Sequence, residues 1–140
     1  MIVLDTNVLS ELMRPIPDAR VVDWLDSQDM IVVAISAITV AEILYGIERL
    51  PDGRRKREFA VMAAAMFEED FAGRILPFDS EAAVHYAEQV AASEGKGKQV
   101  HMADAQIAAI CIRHGAVLAT RNIKDFETLS IDTVNPWKMS

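Results

Sequence analysis

Residues 2–11 read Ile2-Val3-Leu4-Asp5-Thr6-Asn7-Val8-Leu9-Ser10-Glu11. Three aliphatic residues in a row, with no polar alternation, suit a short strand buried on both faces. The polar residues Asp5, Thr6 and Asn7 break that run, and the pattern beyond them predicts a helix over 6–13. The same hand-over recurs along the chain. Ile31-Val32-Val33, Ile75-Leu76 and Val117-Leu118-Ala119 read as buried strands, and Asp132-Thr133-Val134 as a weaker edge strand. Helical patterns run over 18–28, 36–50, 53–72, 79–94 and 102–114. Ser36 and Asp79 stand where N-caps belong, Pro77 and Pro136 close what precedes them, and Gly115 follows His114 as a C-terminal stop. Alternation of strand and helix predicts an α/β fold, a central parallel sheet flanked by helices. At 140 residues the chain holds one such domain, residues 1–140.

Composition narrows the function classes. With 51% hydrophobic and 25% charged residues the chain is neither disordered nor a disulfide scaffold. Fourteen basic against 21 acidic side chains leave a formal charge of −7, which argues against binding nucleic acid or acidic membranes through net field alone. Work on phosphate then needs cations from elsewhere. The one cysteine, Cys111, lies within an apolar helical pattern and reads as a structural thiol in a reducing compartment. The near-apolar run Met30–Ala41 falls short of the ~20 residues of a membrane span, and the N-terminus lacks a basic leader, so a cytoplasmic location away from the membrane is expected.

In open α/β sheets chemistry gathers outside the carboxyl ends of the strands. Asp5 follows the first strand at once, and Thr120-Arg121-Asn122 follow the strand at 117–119, so both fall on that edge. Asp5 reads equally well as the N-cap of the helix behind it. On a wheel of 100° per residue with Ile107 at the origin, Ala103, Ile110, Cys111 and His114 fall within about 60°, and Asp104 sits near +60°. A carboxylate on a core-facing stripe must cap, pair or bind metal. Glu42 lies nearly opposite the stripe of Val40, Ile43, Leu44 and Ile47, the position of a solvated glutamate, although it shares its face with Ile38 and Tyr45. Asp125, three residues after Asn122, reads as a further acid of this edge or as a turn cap. Carboxylates from distant parts of the chain, without Cys/His ligand spacing, suit a hard cation, Mg²⁺ or Mn²⁺. His85, His101 and His114 are isolated, and no Gly-rich phosphate loop or Gly-x-Ser-x-Gly turn is present.

The pieces in their order, Ile2 to Glu11, Ser36-Ala37-Ile38-Thr39-Val40-Ala41-Glu42, Phe71 to Asp79, Ala103-Asp104-Ala105-Gln106, Ala119-Thr120-Arg121-Asn122 and Asn135-Pro136-Trp137, cover nearly the whole chain. In that order the sequence resembles the PIN-domain ribonuclease toxins of the VapC class, and more narrowly the FitB and plasmid-stability StbB branch. The resemblance implies a metal-dependent endoribonuclease, the toxin of a type II toxin–antitoxin module. Such a protein is a homodimer or higher assembly, held silent by a cognate antitoxin that also binds operator DNA. Asp5, Glu42 and Asp104 match the metal-binding acids of the family. Asn122 departs from it, since some relatives carry aspartate there, and Asp125 is the acid that can stand in. Among basic groups, Arg49 and Arg54–Arg57 form the densest cluster, Lys96, Lys98 and Lys124 lie nearer the acidic edge, and Arg121 with Thr120 is expected at the RNA substrate.

A metal-filled acid cluster reverses its sign, polarises the phosphate and lowers the pKa of an attacking water. Two other readings compete. A haloacid-dehalogenase-like phosphatase also starts with a strand ending in aspartate, but its second aspartate would be Asn7. A catalytically silent antitoxin-binding module is kept open by Asn122 alone. An apolar surplus over 18–28 and 36–50 points to Trp24, Leu25 and Ile47 as contact residues between copies.

Overall fold

The computed structural model describes residues 1–138; the expected domain extends to Ser140, and Met139 and Ser140 lie outside the described residues. Strand β1 (Ile2–Leu4) leads into helix α1 (Thr6–Leu12) and α2 (Ala19–Asp26), then β2 (Val33–Ser36), α3 (Ala37–Glu48) and α4 (Arg54–Ala65). The chain continues through β3 (Ile75–Leu76), α5 (Ser80–Gly95), α6 (Met102–His114), β4 (Val117–Ala119) and β5 (Thr133–Val134). All strand pairs are parallel, in the order β3-β2-β1-β4-β5, with Leu4 facing Ile35 on one side and Ala119 on the other. The expected parallel sheet flanked by helices is what the chain forms.

Because side chains alternate across a strand, Val3 and Leu4 feed opposite faces of the sheet. Leu4 joins Val8, Leu9, Ile35, Ile43 and Trp137 on one face, whereas Val3 joins Ile107, Ala108, Leu118 and Phe126 on the other. Ala105, Ala108 and Ala109 of α6 are fully buried, and their small side chains let that helix lie close against its neighbours.

Three expectations shift. The strand expected over Ile31–Val33 begins only at Val33, because the Asp29 carboxylate accepts the Ile31 N–H at 3.1 Å and winds Met30–Val32 into a 3₁₀ turn. The helix expected over 53–72 ends at Ala65 and opens into a π-helical turn, Met66–Asp70. Trp24 and Ile47, expected as contacts between copies, are instead buried in the core, and Leu25 packs partly buried against that core cluster. Most of the apolar stripe of those helices faces inward, while Leu44 and Tyr45 of α3 stay exposed.

Ser36 and Asp79 cap α3 and α5 as expected, accepting the Thr39 and Ala82 N–H groups at 3.1 and 2.9 Å, and Gly115 closes α6 in the left-handed region. Cys111 is buried as expected, and burial first, then the Asp5 charge, pushes its thiol up to about 12. Among the described residues no helix is long and apolar enough to cross a membrane.

Candidate active site

The sheet order reverses between β1 and β4, and at such a switch point the connections leaving the two strands run to opposite sides and leave a crevice beyond their carboxyl ends. Asp5 stands at the end of β1, its N–H donating to Ala119 O at 2.9 Å, so it is locked to β4 by backbone. Its carboxylate accepts three bonds, from Thr6 N at 2.8 Å, Thr120 Oγ1 at 2.7 Å and Asn7 Nδ2 at 3.2 Å. Asp5 is therefore both the N-cap of α1 and the acid of the crevice. Its side chain is 5% exposed, and burial raises its pKa; the bonds from Thr120, Thr6 and Asn7 oppose that rise, and the charge of Glu42 adds to it.

Asn7 fastens the two strand ends together. Besides Asp5, its amide donates to Thr120 Oγ1 at 3.2 Å, and its Oδ1 accepts the Arg121 N–H at 3.1 Å. Thr120, expected at the substrate, is fully buried; its hydroxyl donates to Asp5 and accepts the Asn122 N–H at 3.1 Å. It orients the acid rather than touching RNA. Arg121 is exposed, and its guanidinium lies over the Trp137 ring, 5.0 Å from the centroid.

Glu42, one turn into α3, is exposed as its periodicity predicts, yet its Oε1 accepts the Thr6 hydroxyl at 2.6 Å. That single bond draws a solvent-facing glutamate into the crevice. Asp104 lies half-buried in the first turn of α6, and its pKa rises to about 6. Burial is the largest cause, followed by the charges of Asp5 and Asp125; His101 partly offsets these and Glu42 adds to them. Four acids from distant stretches of chain thus act on one another across the crevice.

Asp125 sits in the 3₁₀ turn Ile123–Phe126, exposed, with its backbone N–H on Asn122 O at 3.1 Å. Among the described residues its carboxylate caps nothing, so the turn-cap reading finds no hydrogen bond to rest on. Asn122 is exposed and its side chain makes no capping bond.

Among the described residues no three His, Cys, Asp or Glu side chains lie together closely enough to hold a metal ion. The acids lie open around the crevice, an arrangement suited to Mg²⁺, which is commonly held by one or two carboxylates and keeps several waters. The donor chemistry fits as well. Every candidate donor is a carboxyl or amide oxygen, and the buried thiol stays protonated.

The basic clusters are largely committed elsewhere. Arg54 pairs with Glu58, Lys56 with Asp52, and Lys98 with Glu127 and the Lys124 carbonyl; Arg49 and Arg55 lie over Tyr45 and Phe59. Thr6, Asn7 and Thr39 escape a reading of the sequence that looks for charge. The available signal was their place, as polar side chains just beyond strand ends.

The family model for the PIN domain matches residues 2–130. The chain is 42% identical over 138 residues to the VapC ribonuclease Y4jK of Sinorhizobium fredii, covering 99% of each protein. It is 42% identical over 137 residues to the toxin FitB of Neisseria gonorrhoeae, covering 98% of this chain and 99% of that one. The crystal structure of FitAcB from Neisseria gonorrhoeae superposes with a TM-score of 0.93 at 42% identity, over 99% of this chain and 100% of that chain. With the fold, the acid-lined crevice and these likenesses in agreement, the chain belongs to the PIN domain family.

Proposed function

We propose that this chain is a Mg²⁺- or Mn²⁺-dependent endoribonuclease, the toxin of a type II toxin–antitoxin module that is silenced by a cognate antitoxin. The observation that carries the reading is the field at Asp104, where Asp5, Asp125 and Glu42 all oppose ionisation from within one crevice. The names of its relatives, a VapC ribonuclease and the toxin FitB, support it. Operator DNA is bound through the antitoxin, since this chain's own charge of −7 gives it no field for DNA.

Asp5, Glu42 and Asp104 would hold the cation, with Asp125 adding charge and Asn122 an amide oxygen at the rim. When bound, Mg²⁺ or Mn²⁺ supplies Lewis acidity toward the phosphodiester and a water of lowered pKa. Without that cation the carboxylates repel an anionic backbone. Asp5 is kept in one orientation by Thr120, Asn7 and the Thr6 N–H, so it needs no reorganisation when substrate arrives. Arg121, exposed beside Asn122, would meet a neighbouring RNA phosphate on this reading.

The purified protein is expected to degrade RNA with Mg²⁺ or Mn²⁺ and to stop on addition of EDTA. Cleavage that survives exhaustive chelation contradicts the metal requirement. RNA left intact at saturating Mn²⁺ by the antitoxin-free chain, when that chain still binds antitoxin in a separate assay, returns it to the silent binding module.

A further inference from the structure

The hydroxyl groups beside the crevice form a chain that reaches Glu42 from the core. Thr6 Oγ1 donates to Glu42 Oε1 at 2.6 Å, and Thr6 Oγ1 and Thr39 Oγ1 lie 3.0 Å apart. Ser36 Oγ donates to Thr39 Oγ1 at 3.4 Å, and Ser36 Oγ accepts the Thr39 N–H at 3.1 Å. Ser36 and Thr39 are both fully buried.

Elementary donor counting fixes the direction. A carboxylate has no proton to give, so Thr6 spends its only hydroxyl hydrogen on Glu42. In the contact with Thr39 it can therefore only accept, which makes Thr39 the donor. Thr39 in turn accepts from Ser36, whose oxygen also accepts the Thr39 N–H on one of its lone pairs. Every hydroxyl hydrogen is used once and all three point toward Glu42, an order in which each bond polarises the next.

The chain also crosses elements. Ser36 ends β2, Thr39 lies in the first turn of α3, and Thr6 opens α1 behind β1. Glu42 stands on α3, with a side chain that periodicity alone would leave free in solvent, where three rotatable bonds give it many conformers. The bond from Thr6 removes that freedom by tying the carboxylate to the residue next to Asp5.

We infer that Thr6, backed by Thr39 and Ser36, is a positioning residue that pre-sets the Glu42 carboxylate beside Asp5 for cation binding. The inference rests on the metal-nuclease reading above and goes beyond it in assigning Thr6 and Thr39 a role in cation affinity. Hydrogen-bond partners of a metal ligand typically change affinity about 10- to 100-fold when removed.

The test is a calorimetric titration of the full chain with Mn²⁺, read beside its melting temperature without metal. Thr6→Val keeps the side-chain shape and loses the donor, and is expected to bind Mn²⁺ about 10-fold more weakly while melting as the parent does. Thr6→Ser keeps the hydroxyl and is expected to restore parental affinity. Thr39→Val, which removes the donor to Thr6, is expected to fall between the parent and Thr6→Val. Parental affinity in Thr6→Val overturns the inference, as does a Thr6→Ser protein as weak as Thr6→Val, because the methyl group rather than the hydroxyl would then matter. Should Thr6→Val fail to fold, parental affinity in Thr39→Val overturns it. A parent that binds no Mn²⁺ overturns the nuclease reading along with it, whereas a parent that binds as well as both valine variants overturns the relay alone.

Discussion

Asp104→Asn gives a protein that melts higher than its parent and no longer cleaves RNA. An unfolded aspartate releases its proton near pH 3.9, whereas Asp104 in the fold does so at about 6. Between those values the folded state holds the extra proton, so stability falls as pH rises from about 4 to about 6, and the penalty is fully present above that. Asparagine is neutral and escapes both the burial cost and the repulsion from Asp5 and Asp125. Because Asp104 is only half-buried, solvent screening trims the gain to on the order of 1 kcal/mol, a few degrees in melting temperature. Calorimetry at pH 7.5 without metal checks the gain, and at pH 3.5 the two proteins should converge. An Asp104→Asn protein that melts lower at pH 7.5 contradicts this assignment. Cleavage falls at least about 100-fold, the scale on which a charge-stabilising group is missed in a transition state.

Asp125→Asn lowers RNA cleavage about 10- to 100-fold and leaves the melting temperature almost unchanged. The side chain is exposed and caps nothing among the described residues, so its loss removes no packing and no hydrogen bond. What it removes is charge felt at Asp104, where Asp125 ranks ahead of Glu42. Asparagine at position 122 is neutral and can offer only an amide oxygen, so the fourth charge of the crevice falls to Asp125. Cleavage assays and melting curves on Asp125→Asn and Asn122→Asp decide the matter. If Asp125→Asn keeps full activity while Asn122→Asp gains it, the site works with Asp5, Glu42 and Asp104 alone.

Particular residues explain why some features could be read from the sequence and others could not. Ile2–Leu4 and Val117–Ala119 are legible because an aliphatic triplet in a buried parallel strand has no alternative use, and the acid or hydroxyl that follows each falls on the carboxyl edge by topology. The strand near residue 31 misleads because three β-branched or aliphatic residues outweigh one acidic cap, yet the Asp29 bond takes Ile31 out of the sheet and leaves it 79% exposed. Periodicity describes a helix relative to its own axis. It places Glu42 opposite the buried stripe correctly and cannot register Thr6, 36 residues earlier, reaching across from another element. The same blindness hides the burial of Thr120, which Asn7 reaches from 113 residues earlier. Trp24 and Ile47 mark a different limit: an apolar stripe states that something covers it, not whether the cover is the core or a second chain.

We propose the crevice between β1 and β4 as a hard-cation centre built by acids from four parts of the chain. The most direct measurement is an anomalous difference map from crystals of the protein soaked in Mn²⁺. The expected result is a peak within coordination distance of the Asp5 and Asp104 carboxylates, lost in crystals of Asp5→Asn. A crevice without a peak at saturating Mn²⁺, in crystals of a protein that cleaves RNA, contradicts the account.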